Sequence, residues 1–179
     1  TKKLQVEYPN YRVRYREDNF GIGLFSKIPI AHGKIITVGE ADVPTIVATL
    51  ELPGRAAINL LATHPVPPAN AAYSRWRNSQ FQSLPDHIDP DLPTILLGDL
   101  NASPWSYHFK KLLKDSGLID SSKGRGIQTS WPTFNPILRI PIDHFLHSPS
   151  IKIVHRAIGK DVGSDHFPVV VDFSIEENQ

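Results

Sequence analysis

The chain predicts an α/β (α+β) fold in which mainly antiparallel or mixed β-sheets stack face to face and are flanked by helices. Three observations lead there. Roughly eight short β-rich segments are separated by Gly or Pro, two helical patterns lie between them, and the connections mix hairpin and helix lengths, which a pure parallel βαβ array would not do. With 179 residues the chain has the size of one domain, 1–179, able to bury on the order of 70% of its unfolded surface.

The elements follow in order. A first strand is expected near "YRVRY", then four more in "GIGLFSK", "KIITV", "PTIVATLEL" and "RAAINLLATH". "PPANAAYSRWRNSQFQSL" opens on proline and carries Ala72, Tyr73 and Trp76 at helical spacing, which predicts a helix of about four turns. "TILLGDL" returns to strand. Ser103-Pro104 reads as an N-cap with Pro at the first helical position, Gly117 as the residue ending that helix, and Phe109, Leu112 and Leu113 as its apolar face. "IPIDHFLHS", "IKIVHRAI" and "PVVVDFSI" are three further strands, the last alternating Val169, Val171, Phe173 and Ile175 on one face.

Composition narrows the chemistry. Nineteen Lys and Arg against 18 Asp and Glu exclude a general electrostatic pull, so a polyanion would have to be gripped locally. The absence of cysteine excludes disulfides, thiolate nucleophiles and Cys-ligated zinc while leaving the compartment undetermined. No apolar stretch approaches the roughly 20 residues of a membrane helix, and the start "TKKLQVEYPNYR" has no signal-peptide segment, so this stretch reads as soluble.

Four segments end in polar groups suited to phosphate, metal or proton chemistry. Asp99 and Asn101 follow the apolar strand "TILL", at the carboxyl end where open α/β sheets place sites; an isolated G-D-x-N also serves as a simple turn. A calcium loop is disfavoured, because Pro104 and Lys110 stand where it needs Gly and Glu. Asp165 and His166 sit side by side before the final strand, and adjacent side chains on extended backbone face different partners. Asp143 lies in an apolar strand, where a buried carboxylate costs several kcal/mol unless it is paired; the alternative is that it faces solvent, opposite Ile140, Ile142, His144 and Leu146. His64 ends another strand, and Pro65 prevents that strand from continuing.

An ordered series of motifs resembles the endonuclease/exonuclease/phosphatase superfamily, the DNase I-like fold shared by nucleases, abasic-site endonucleases, neutral sphingomyelinases and inositol-polyphosphate phosphatases. The series is "GLFSKIPI", "THPVPP", "GDLNASPWS", "TSWPTF", "PIDHFLHS" and "GSDHFPVVVDF", spanning about Gly21 to Phe173. The resemblance implies a four-layer sandwich and a metal-dependent phosphoesterase, most of all one hydrolysing phosphodiesters. Asp99 would activate water, and Asn101 would orient Asp99 or the phosphate. His166 would stabilise the transition state or protonate the leaving oxygen, held in its tautomer by Asp143. His64 would contact phosphate or act as a second acid, and Asp165 would be a metal ligand.

Mg²⁺ (or Mn²⁺) suits such a site, since it prefers oxygen ligands and keeps several waters. The substrate would be a nucleic acid or a phosphorylated small molecule or lipid head group; for nucleic acid the candidate contacts are Arg75, Arg77, Lys123, Arg125 and Trp131, although Arg75 and Arg77 also fit a solvated helix face. No obligate protein partner is evident. Within the superfamily, "GDLNASPWS" and "THPVPP" resemble bacterial members, some with membrane helices ahead of the domain, so a membrane-anchored parent is one expected setting.

The family also begins with a strand bearing Asn and a later strand bearing a metal-binding Glu, and neither is recognisable here. Glu7 and Glu17 follow no apolar strand. The chain, which starts at Thr1 and holds no methionine, is therefore expected to be an N-terminally incomplete piece with a partial metal site, open to being an inactive or purely binding fragment, and with an open sheet edge inviting self-association.

Overall fold

The computed structural model describes residues 2–54 and 57–175. The expected strand "RAAINLLATH" begins on Arg55 and Ala56, which lie outside the described residues.

The core is a six-stranded mixed sheet in the order β3-β4-β5-β6-β8-β7. Its strands are β3 (Ile30–Thr37), β4 (Pro44–Leu50), β5 (Ile58–Thr63), β6 (Thr94–Asp99), β7 (Ile119–Asp120) and β8 (Asp143–His147). Only β5 and β6 run parallel, because the helix between them makes the crossover that two parallel strands require. A second layer is built from two hairpins, β1 (Asn10–Arg14) with β2 (Ile22–Ser26) and β9 (Ile151–Ile158) with β10 (Val169–Ile175), each a separate two-stranded antiparallel sheet. The α/β class with stacked sheets is thus present, its smaller sheet represented by two hairpins.

Two apolar layers join these parts. Helices α2 (Ala71–Ser83) and α3 (Tyr107–Ser116) cover one face of the large sheet, where Phe81, Leu84, Phe109 and Leu112 pack with Leu61, Leu96 and Leu146. On the other face Ile46, Ile58, Leu60, Ile95 and Phe145 meet Ile151 and Ile153 of β9, with Leu24 of β2 and Val171 of β10 packed against them. With both faces covered, β5 is buried at all six positions; four of them are apolar, and its two polar residues, Asn59 and Thr63, are satisfied by hydrogen bonds to Thr94 and Thr45.

Local chemistry sets the element ends. Asn70 caps α2, its side-chain oxygen accepting the Tyr73 N–H at 2.9 Å, so Pro67 and Pro68 lie ahead of the helix. The expected cap at Ser103 is corrected: Ser106 caps α3, its Oγ accepting from the Phe109 N–H at 3.3 Å. Ser103 instead opens a turn, its carbonyl accepting the Ser106 N–H at 3.0 Å, and Pro104 occupies the second turn position that its fixed φ favours. Gly117, with φ 69°, ends α3 as expected. The short helix α1 (Lys2–Glu7) and strand β7 carry too few residues for a readable period and were not anticipated.

Candidate active site

The sheet delivers its polar termini to one end. Gly98 makes this possible. Its φ is 141°, and a Cβ there would lie 1.9 Å from the Thr63 carbonyl oxygen, so only glycine lets β6 press this closely against β5 just before Asp99. Asp99 closes β6 and stands opposite Asp143, the first residue of β8, in the antiparallel register. The strand predicted from Ile140 therefore begins three residues later, and Asp143 lies at its mouth rather than within it.

Asp143 does not face solvent unpaired. Its Oδ2 lies 2.8 Å from His166 Nδ1, and the ring's Nε2 lies 3.8 Å from Asp99 Oδ2. His64 approaches the same Asp99 oxygen from β5, with Nε2 at 3.5 Å, and its ring rests against Phe20 with centroids 5.3 Å apart. One imidazole thus spans two carboxylates while a second flanks one of them.

Asn101 adopts φ 49°, and its backbone N–H donates to Asp99 Oδ1 at 2.8 Å. Its side-chain Nδ2 donates to the Pro65 carbonyl at 2.9 Å, tying the loop to the residue after His64. Asn101 orients Asp99 through its backbone amide, while its side chain braces the two loops together. Arg77 completes the brace: its Nη1 donates to the Asn101 carbonyl at 2.9 Å, and the side chain is buried against Phe81.

Asp165 lines the same cleft but is exposed, its Oδ2 accepting from Trp131 Nε1 at 3.3 Å. The segments that carry them are zipped together: the Phe167 N–H donates to the Ser130 carbonyl at 2.9 Å and the Thr133 N–H to the Asp165 carbonyl at 2.9 Å.

All six expected residues therefore meet. His64, Asp99, Asn101, Asp165 and His166 line a cleft of about 930 Å³, with Asp143 directly behind His166. Of the cations expected near substrate, only Arg77 lines it; Trp131 does too, whereas Arg75 is exposed elsewhere and Arg125 is spent on the Ile153 and Ser121 carbonyls. Lys123 is exposed and outside the cleft. Glu7 sits 3.6 Å from Lys27, and neither it nor Glu17 lines the cleft.

Two supporting residues escaped the sequence reading. His144, 4% exposed, donates from Nε2 to the Ala102 carbonyl at 2.8 Å and so holds the loop beyond Asn101 from below. Burial pushes its pKa down, outweighing the bond to the Ala102 carbonyl, which pulls the other way. Arg156, also buried, donates to Ser121 Oγ at 3.0 Å, to Gln128 Oε1 and to the Asp143 carbonyl at 3.4 Å. A histidine in an apolar strand and a lone arginine in another carry no local signal of either role.

The electrostatics separate the groups. Burial raises the Asp99 carboxyl to about 6, with the Asn101 N–H opposing and the charges of Asp143 and Asp165 adding to the rise. The hydrogen bond that the ring donates to Asp143 raises the His166 pKa. Burial lowers that of His64, and the charge of His166 lowers it further. Near neutrality this gives a largely ionised carboxylate close to its titration point, a ring biased toward its cation beside it and a ring biased toward its neutral form on its flank.

Comparison with known proteins now bears on the chain. Residues 2–166 match the family model described as the Endonuclease/Exonuclease/phosphatase family. The chain belongs to that family. Among solved structures, the 3′ phosphatase NExo from Neisseria, bound to product DNA hairpin, superposes with a TM-score of 0.74 at 18% identity, covering 97% of this chain and 82% of that one. The catalytic domain of human Nocturnin with bound sulfate gives 0.73 at 18% identity, covering 98% and 76%. An endonuclease/exonuclease/phosphatase from Beutenbergia cavernae gives 0.70 at 21% identity, covering 87% of this chain. The chain spans about half, 48%, of the Beutenbergia protein's length. No curated protein matches it. At these identities the likeness establishes the DNase I-like fold, and family membership makes phosphoester chemistry the expected class.

Among the described residues no three His, Asp or Glu side chains converge as a metal site. The donor set nevertheless fits a loosely held Mg²⁺ or Mn²⁺. Asp165 lines the cleft with its carboxylate exposed and no Lys or Arg paired with it among the described residues, and hydrated Mg²⁺ needs only one or two carboxylates.

Proposed function

We propose that the chain hydrolyses phosphodiester bonds, with Asp99 as the group that accepts a proton from the attacking water. Its carboxyl titrates at about 6, near the pH at which a general base works best. The Asn101 N–H fixes one oxygen and leaves the other toward His64 and His166, so the basic lone pair has a set direction.

His166 performs the complementary task. With Nδ1–H donated to Asp143, the protonated ring offers Nε2–H to the cleft, where it neutralises charge developing on the phosphoryl oxygens or passes its proton to the leaving oxygen. His64, neutral and backed by Phe20, contributes a hydrogen bond rather than a charge. Mg²⁺ or Mn²⁺, if held by Asp165, would neutralise non-bridging oxygens and lower the cost of approaching a phosphodiester anion.

The single observation that carries this reading is the bridging position of His166 between Asp143 and Asp99. The test is turnover of bis-p-nitrophenyl phosphate and of a DNA oligonucleotide with Mg²⁺ or Mn²⁺, for the wild type beside Asp99→Ala and His166→Ala. Wild-type cleavage lost in both variants supports the assignment; equal rates in all three reject it.

A further inference from the structure

One loop at the cleft exposes apolar side chains that serve no purpose inside the molecule. Between Trp131 and Ile140, whose backbones bridge antiparallel and which both line the cleft, Phe134, Ile137 and Leu138 are 78%, 91% and 65% exposed.

The loop beneath them is built, not slack. Arg139 donates to the Pro132 and Thr133 carbonyls at 3.1 and 3.0 Å, and its guanidinium lies over the Phe167 ring at 4.7 Å. Thr133 Oγ1 donates to the Ser164 carbonyl at 2.9 Å. Asn135 Oδ1 accepts the Ile137 and Leu138 N–H groups at 3.1 and 3.3 Å, which turns the tip and aims it outward. Polar clamps thus hold an apolar tip in water, the arrangement of an interaction surface.

Size and charge choose the partner. The three side chains expose on the order of 400 Å², against the roughly 800 Å² per partner of a stable protein interface. A small protruding tip suits a medium that needs no complementary shape, the interfacial region of a bilayer. From Trp131 to Leu138 there is no charged side chain, so neither a polyanion nor an anionic headgroup layer has a cation to meet on the tip itself.

We propose that this loop docks the protein on phospholipid membranes: Phe134, Ile137 and Leu138 enter the interface and set the cleft of Asp99 and His166 beside the head groups. The inference stands on the loop and holds whether or not the cleft turns out to hydrolyse phosphodiesters.

Sedimentation with phosphatidylcholine vesicles at low and high salt tests it, comparing wild type with a Phe134→Ser, Ile137→Ser, Leu138→Ser triple variant. Ile137→Asn alone guards against misfolding of the triple, and Val154→Ser serves as an exposed apolar control away from the loop. The wild type and the control are expected to sediment at both salt concentrations, and the triple variant to bind at least roughly tenfold more weakly, with an unchanged melting curve and a partial loss in Ile137→Asn. Absent wild-type binding, equal binding by the variants, or binding confined to anionic vesicles and abolished by salt would each overturn the proposal. So would a wild-type dimer that the triple variant dissolves, which would make the tip a contact between copies of the chain.

Discussion

Asp143 and Asp99 stand directly opposite one another on neighbouring strands, and the His166 ring is set between them, 2.8 Å from the first and 3.8 Å from the second. Two carboxylates this placed repel, and a cation between them is the cheapest remedy. Replacing Asp143 by Asn should let the His166 pKa fall back toward the ordinary 6.5, read by NMR titration of the ring. Turnover should drop on the order of 10²-fold near neutral pH, the scale of a lost acid or base. The raised value also ties the pair to stability. Its contribution is complete below 6.5 and disappears as pH rises through the His166 value in the folded protein, so the variant should lose most melting temperature in acid and least in alkali. An unshifted ring titration would separate the two residues functionally.

The pH profile of turnover follows from the same groups. Asp99 must be ionised and His166 protonated, so kcat/KM should rise through about 6 and fall again above the raised histidine value. In Asp143→Asn the alkaline limb should move to lower pH while the acid limb, which is mainly a matter of Asp99 burial, moves little. A profile that is flat between pH 5 and 8 would exclude Asp99 as the base.

Holding Asp99 ready has a stability cost. A carboxyl whose folded value is about 6 rather than 3.8 favours its protonated form in the fold, so stability is full below 3.8 and declines as pH rises through about 6. Asp99→Asn removes the ionisation. At pH 8 this variant should be inactive yet more stable than wild type, by up to about 3 kcal/mol before allowing for a weaker acceptor to the Asn101 N–H. At pH 3.5 the two should melt alike. Denaturant titrations at the two pH values decide it.

How much of this was readable in the chain depended on whether the signal was local. Strand ends and motif residues are encoded within a few positions, so Asp99, Asp143 and His166 are legible as candidates along with the strands that carry them. The helix start was misread because Ser103-Pro104 and Ser106 are both locally plausible, and the choice between them is made by a turn hydrogen bond rather than by composition. Arg77, His144 and Arg156 hold the site through contacts with residues 24 to 42 positions away, or 13 to 35 in the case of Arg156, and no window along the chain reports such pairs. The place of Asn101 is legible only in outline, since its backbone N–H, presented by a left-handed conformation, reaches Asp99 while its side-chain amide turns to Pro65.

Metal dependence should show as a weak site. Chelation is expected to abolish turnover, and excess Mg²⁺ or Mn²⁺ to restore it, because a hydrated ion on a single carboxylate is held weakly. Asp165→Asn should raise the concentration required while leaving the His166 titration nearly in place, because Asp165 is the last and smallest contributor to that shift. Mn²⁺ broadening of the His166 ring resonances gives a readout independent of catalysis. Full activity in excess chelator would remove the metal from the scheme.

Gly98→Ala tests whether strand packing, and not only side-chain identity, places the base. The new Cβ would fall 1.9 Å from the Thr63 carbonyl oxygen, at a φ of 141° that side chains rarely adopt. Thr63 cannot retreat easily: it pairs with Thr45 in the β4/β5 ladder, and the two hydroxyls share a buried hydrogen bond of 2.8 Å. The end of β6 must therefore lift, carrying Asp99 away from its position opposite Asp143. A displacement of about 1 Å there is enough to cost on the order of 10²-fold in rate, and the strain itself should lower stability by roughly 2–4 kcal/mol. Thermal melting and the Asp143–His166 ring titration, measured together, distinguish the two losses. A variant with wild-type melting temperature and turnover would show that β6 reaches the site without this close approach.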